Sequence, residues 1–106
     1  MTRLELLLIQ LMEECAELQK ECSKALRFGL GDCNPKTCEF NNEGINREIV
    51  DVLALMGMLS DQTFDSTHPV YDGVSEYTGV VQQDVFDKMD KVEEWLKVSE
   101  DLGIKT

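Results

Sequence analysis

The sequence predicts an all-α fold, a bundle of three long helices, and three observations carry that expectation. Apolar residues recur at steps of three and four along three separate stretches, and no stretch of useful length alternates apolar with polar residues. The Gly, Pro and Asn residues that punctuate chains fall mostly between the stretches. The 106 residues make a single domain, 1–106, with no internal repeat and no low-complexity tract. A chain of this size buries about two-thirds of the surface its unfolded form exposes, so helices that are apolar on more than one side call for a short extra helix or a second copy.

The first helix runs from Leu4 to about Phe28 on the stripe Leu4, Leu8, Leu11, Cys15, Leu18, Cys22, Ala25 and Leu26. Gly29-Leu30-Gly31-Asp32 stops it, and Asn34, Pro35, Asn41, Asn42 and Gly44 predict an irregular connection of roughly fifteen residues, long for so small a domain. The second helix starts near Ile45, carries Ile45, Ile49, Val52, Met56 and Leu59 on one face, and fades around Asp61-Gln62. From Ile49 to Leu59 every residue except Asp51 is apolar, glycine or alanine, so nearly its whole circumference calls for cover. Turn signals at His68-Pro69, Asp72-Gly73 and Thr78-Gly79 separate it from a third helix. That helix spans about Val81 to Leu102, with Val85, Met89, Val92 and Leu96 on a face, Trp95 beside it and Gly103 at its end.

Twenty-one acidic against ten basic residues leave a formal charge of −11. Such a surface argues against nucleic acid and against an anionic membrane, both of which call for a basic face. A phosphate-bearing substrate would need cations as intermediaries. The amino-terminal stretch has charges throughout and lacks the apolar core of a signal peptide, and no run approaches the ~20 apolar residues of a membrane span, so the expected location is cytoplasmic. Cys15 and Cys22 lie seven apart on the first helix, too far to bridge each other, and read as small buried apolar residues in a reducing compartment. Cys33 and Cys38 in the connection would need two further ligands, from His68 or the helix cysteines, to hold zinc.

The carboxylates carry the chemistry. Glu13, Glu14 and Glu17 form EExxE in the first helix, and Glu48 with Asp51 form ExxD at the start of the second. A spacing of three places each pair on one helical face, flanking the apolar stripe. If the stripes pack antiparallel, four carboxylates line a shared cleft, a self-repelling cluster unless protonated or bridged by cations. Oxygen ligands suit Mg²⁺, which keeps several waters and completes its shell on substrate phosphates. EExxE alone, in a chain so rich in acids, is most often a solvated face. Asp51 is the informative residue, because a carboxylate set among apolar neighbours is costly to bury without partners. Ferritin-like di-iron sites want a Glu-x-x-His on each of two helices, which a chain with His68 alone does not supply; nucleophilic triads want one histidine, and His68 beside Pro69 reads as a turn residue; no GxxxxGK[ST] phosphate loop is present.

EExxE followed by ExxD at the head of an apolar helix resembles the MazG-like, all-α nucleoside triphosphate pyrophosphohydrolases. The resemblance covers Leu8 to Leu59, densest at Leu11-Met12-Glu13-Glu14-Cys15-Ala16-Glu17-Leu18 and Glu48-Ile49-Val50-Asp51-Val52-Leu53. It implies cleavage of a nucleoside triphosphate between the α and β phosphates, giving monophosphate and pyrophosphate. Carried over by position, Glu14, Glu17, Glu48 and Asp51 would be the catalytic, metal-holding carboxylates for Mg²⁺, with Mn²⁺ as the other ion admitted. Lys20, Lys24, Arg27, Lys88 and Lys91 are the candidates for the outer phosphates. The resemblance points to a deoxynucleotide of the dGTP, dUTP or dCTP type and to a homodimer or homotetramer that completes the site. Phe40, Phe86 and Trp95 are candidate stacking surfaces for the base, and Asn42 and Asn46 either read its edges or cap the second helix. The contrasting class is a non-catalytic acidic helical protein whose Glu-rich face binds a basic partner. A third is a nucleotide- and Mg²⁺-binding relative without hydrolysis.

Overall fold

The computed structural model describes residues 1–70 and 82–101, which form three helices: α1 (Arg3–Phe28), α2 (Asn41–Thr63) and α3 (Gln82–Asp101). Val81, Leu102, Gly103 and the turn signals at Asp72-Gly73 and Thr78-Gly79 lie outside the described residues. Among the described residues no strand forms, and a single antiparallel bridge pairs Cys33 with Phe40.

α1 opens on a capping box, in which Thr2 Oγ1 accepts from the Glu5 N–H and Glu5 Oε1 accepts from the Thr2 N–H. It ends at Gly29, whose φ of 93° is a conformation glycine adopts without strain, and whose N–H donates to Ala25 O. α2 begins four residues before the expected Ile45. Asn41, Asn42 and Gly44 are weak helix formers and read as loop, but local and tertiary hydrogen bonds override that preference. The Asn41 N–H donates to Asp32 O, its side-chain amide donates to Gly29 O at 2.8 Å, and Glu43 caps the free Phe40 N–H. The connection is itself hydrogen-bonded rather than irregular, with the Asn34 N–H on Glu39 O and the Cys38 N–H on Asn34 O. Past α2, Thr63 Oγ1 donates to Leu59 O and accepts from the Val70 N–H.

α1 and α2 pair antiparallel, as Arg3 meeting Gln62 at one end and Asn41 meeting Gly29 at the other require. α3 packs chiefly against α2 and touches α1 through Lys88 and Glu93. The apolar core sits where the start of α1 meets the end of α2: Leu6, Leu7, Leu55, Met58, Leu59, Val92 and Leu96, flanked by Leu4, Leu11, Met89 and Trp95.

The expected stripe on α1 is corrected in one respect. Leu4, Leu11, Leu18 and Ala25 do turn inward, but Leu8, Cys15 and Cys22 are exposed and Leu26 is 89% exposed. Their place in the seam is taken by Leu7, Glu14 and Glu21. Both sets continue the same three-four spacing, and counting apolar residues selects the one that contains no acids. α2 is offset only in part: of its expected face Leu59 is buried, Ile45, Val52 and Met56 are half-buried and Ile49 is exposed, while Asn41, Gly44, Glu48, Leu55 and Met58 are buried and Asp51 is half-buried. The cysteines are therefore free and exposed on this chain. The register has a direct consequence for stability. Leu7→Ala should lower the unfolding free energy by about 2–5 kcal/mol, and Leu26→Ala should change it by no more than about 0.5 kcal/mol, both read from urea unfolding curves.

Candidate metal centre

Beyond the apolar core the α1–α2 seam turns polar. Glu14 from α1 and Glu48 and Asp51 from α2 each offer a carboxylate oxygen, and these oxygens lie within 4.8 Å of one another. The ExxD spacing puts Glu48 and Asp51 one turn apart on the face that α1 covers, and antiparallel pairing sets Glu14 opposite them. The Glu48 side chain is 4% exposed and those of Glu14 and Asp51 are 12% and 18% exposed, so the cluster is recessed rather than solvated.

Two cationic side chains reach it. Lys88 of α3 donates to Glu14 Oε1 at 3.0 Å and stands 3.8 Å from Asp51 Oδ2. Arg47 donates through Nη1 to Glu48 Oε1 at 2.5 Å and grips Glu39 with a two-pronged pair, Nε to Oε2 at 3.0 Å and Nη2 to Oε1 at 3.2 Å. Its Nη2 is also 3.6 Å from Glu21 Oε1. The bonds to Glu39 raise the Arg47 guanidinium above its ordinary range and hold the Glu39 carboxyl below its own.

These cations do not fully neutralise the site. Burial pushes the Glu48 carboxyl up to about 7, reinforced by Glu14 and Asp51 and opposed by Arg47. Burial also raises Asp51, against the pull of Lys88. Glu48 Oε2 is buried without a hydrogen-bond partner. Three recessed oxygen ligands, one with an orphaned lone-pair atom, fit a hard divalent cation such as Mg²⁺, whose remaining positions water or phosphate oxygens would fill. No cysteine or histidine joins such a group among the described residues, so the zinc arrangement weighed for Cys33 and Cys38 does not form there.

The other expected site residues are dispersed. Glu17 is exposed and lies outside the three-carboxylate group, and Glu13 is exposed and accepts from Gln10. Lys20 is exposed, Lys24 pairs with Glu21 at 3.0 Å, and Arg27 stacks over the Phe28 ring at 5.3 Å. Lys88 is at the centre of the site, and Lys91 lines the adjoining cleft of about 270 Å³ with Arg47, Val50, Asp51, Asp84 and Asp87. Phe40 and Phe86 are exposed, Trp95 packs against the core, and Asn42 and Asn46 are exposed within α2 rather than at its cap. Arg47 and Glu21 were not anticipated. Glu21 stands one heptad beyond Glu14, a spacing that signals the shared face. Nothing in the sequence alone marks Arg47.

Comparison with protein-family models, with curated proteins and with solved structures found no match to this chain. No described helix is long and apolar enough to cross a membrane.

The raised carboxyls set a pH dependence. Between the unfolded value near 4.5 and the folded value of about 7, folded Glu48 holds a proton that the unfolded chain has released, so stability falls as pH rises through that window. Asp51 adds to the fall. Thermal unfolding in EDTA should show the midpoint dropping from pH 5 to pH 8, and millimolar Mg²⁺ should restore most of the loss at pH 8 and little of it at pH 5.

Proposed function

We propose that this chain is a Mg²⁺-dependent nucleoside triphosphate pyrophosphohydrolase of the MazG-like kind, acting on a deoxynucleoside triphosphate of the dGTP, dUTP or dCTP type in the cytoplasmic nucleotide pool. The observation that carries the reading is the recessed group of Glu14, Glu48 and Asp51 beside a cleft where Arg47, Lys88 and Lys91 stand among Asp51, Asp84 and Asp87. Glu14, Glu48 and Asp51 would hold the ion, which supplies neutralisation of phosphate oxygens and a bound water of lowered pKa. Lys88 and Lys91 of α3 line this cleft and would meet the departing pyrophosphate there. Water adds to the α-phosphorus, the α–β bridging bond breaks, and monophosphate and pyrophosphate leave. One of these carboxylates takes the proton from the attacking water on an oxygen not used to hold the ion.

Two further features support parts of this reading. Leu8, Met12 and Cys15 leave an uncovered stripe on the outer side of α1, which suits pairing of two copies into the expected homodimer or homotetramer. The recessed position of Asp51 is hard to reconcile with an acidic docking surface, which has no use for a carboxylate turned into its own helix seam.

The test is pyrophosphate release across natural and modified dNTPs and NTPs, with Mg²⁺ and with EDTA. Metal-dependent release from one or a few nucleotides is expected. Asp51→Asn should remain folded, and more stable at neutral pH because a repelling charge is gone, while its turnover drops by at least about 100-fold, the upper end of what losing even an outer-shell partner costs. A folded Asp51→Asn protein with full turnover, or no release from any nucleotide, overturns the assignment.

A further inference from the structure

Arg47 makes an arrangement that the cluster alone does not require. Its guanidinium spends two donors on Glu39 in the α1–α2 connection and a third on Oε1 of Glu48. That leaves Glu48 with one oxygen anchored and one, Oε2, buried without a hydrogen-bond partner. Glu39 is itself fixed, because its carbonyl accepts from the Asn34 N–H at 2.9 Å and its own N–H donates to Thr37 Oγ1 at 3.3 Å. The chain of contacts therefore runs from a hydrogen-bonded connection, through a planar fork, to one oxygen of a metal-holding carboxylate.

We propose that Arg47 is the positioning residue of the metal centre: anchored by Glu39, it holds Glu48 by Oε1 so that Oε2 is left for the divalent cation. This inference rests on the metal reading above and goes beyond it, because it assigns to a cation next to the site the work of building a cation site. Charge alone predicts the reverse. A guanidinium beside a divalent ion repels it, so removing Arg47 should tighten cation binding if electrostatics were its only influence. Held geometry predicts loosening, because an unanchored Glu48 must be ordered when the ion binds, and outer-shell partners typically contribute about 10- to 100-fold in metal affinity. Only arginine supplies the planar fork that serves Glu39 and Glu48 together; a lysine keeps the charge and loses the geometry.

Mn²⁺ alone is the probe, titrated calorimetrically and by electron paramagnetic resonance into the intact chain at pH 8, with thermal unfolding of each variant alongside. Arg47→Met is expected to weaken Mn²⁺ binding by about tenfold despite the lost positive charge. Arg47→Lys is expected to weaken it in the same direction, which a pure charge effect would not do. Glu39→Gln, which keeps the shape of the anchor and lies outside the metal group, is expected to give a smaller loss of the same sign, and it carries the test together with Arg47→Lys if Arg47→Met does not fold. Folded Arg47 variants that bind Mn²⁺ as tightly as the native chain, or more tightly, overturn the positioning role while leaving the metal centre standing. A native chain that binds no Mn²⁺ overturns the metal reading and this inference with it.

Discussion

The antiparallel seam between α1 and α2 is a single three-four register whose occupants change character halfway along. Toward the start of α1 it holds leucines, and Leu7, Leu55 and Leu59 are completely buried there. Toward the end of α1 the same register holds Glu14, Glu21, Glu48 and Asp51. The helices cannot separate at the polar half without also opening the apolar half, so the core holds together carboxylates that would otherwise move apart. The remaining features of the molecule follow from this constraint. Lys88 brings α3 to Glu14 and Asp51 while Val92 and Leu96, one and two turns further on, enter the core. Gly44 leaves room for Glu21, since a Cβ there would lie 2.5 Å from Glu21 Oε2.

The all-α class, the three helices and their approximate limits are legible in the sequence because they rest on periodicity and on punctuation, which are local signals. The register is not legible from the same signals. Leu4, Leu11, Leu18 and Ala25 are compatible with two completions of the heptad, one through Leu8, Cys15 and Cys22 and the other through Leu7, Glu14 and Glu21. Hydrophobicity favours the first, and the structure takes the second. The start of α2 was hidden for a related reason, because the bonds that order Asn41 come from Asp32 and Gly29 across the connection and not from its neighbours in sequence.

The candidate site divides along the same line. Glu14, Glu48 and Asp51 could be singled out because ExxD in an apolar run and EExxE upstream are patterns of spacing. Glu17, chosen by the same pattern, stays on the exposed side, since three residues along a helix is a step of 60° and only Glu14 of that pair falls in the seam. Arg47 and Glu39 act through contacts between a helix and a connection eight residues apart, and no local pattern encodes such a contact.

The balance of charge around the seam explains why the polar half of the interface is tolerable and what it lacks. Two sets of ion pairs meet along the seam: Lys88 with Glu14 and Asp51, and Arg47 and Lys24 with Glu21, Glu39 and Glu48. Glu21 has Lys24 at 3.0 Å, whereas Glu14 and Asp51 share one lysine and Glu39 and Glu48 share one arginine, which also approaches Glu21. Each set is short of positive charge by one, and the excess negative charge is brought closest together at Glu14, Glu48 and Asp51, whose oxygens lie within 4.8 Å of one another. There Glu48 is driven toward protonation and its Oε2 lacks a hydrogen-bond partner, as Glu21 Oε2 does further along the seam beside Lys24. A proton relieves one negative charge at the expense of a carboxylate ligand. A single divalent ion would relieve both and bind the orphaned oxygen of Glu48, which is why the physical demands of the seam and the proposed chemistry meet at the same three residues.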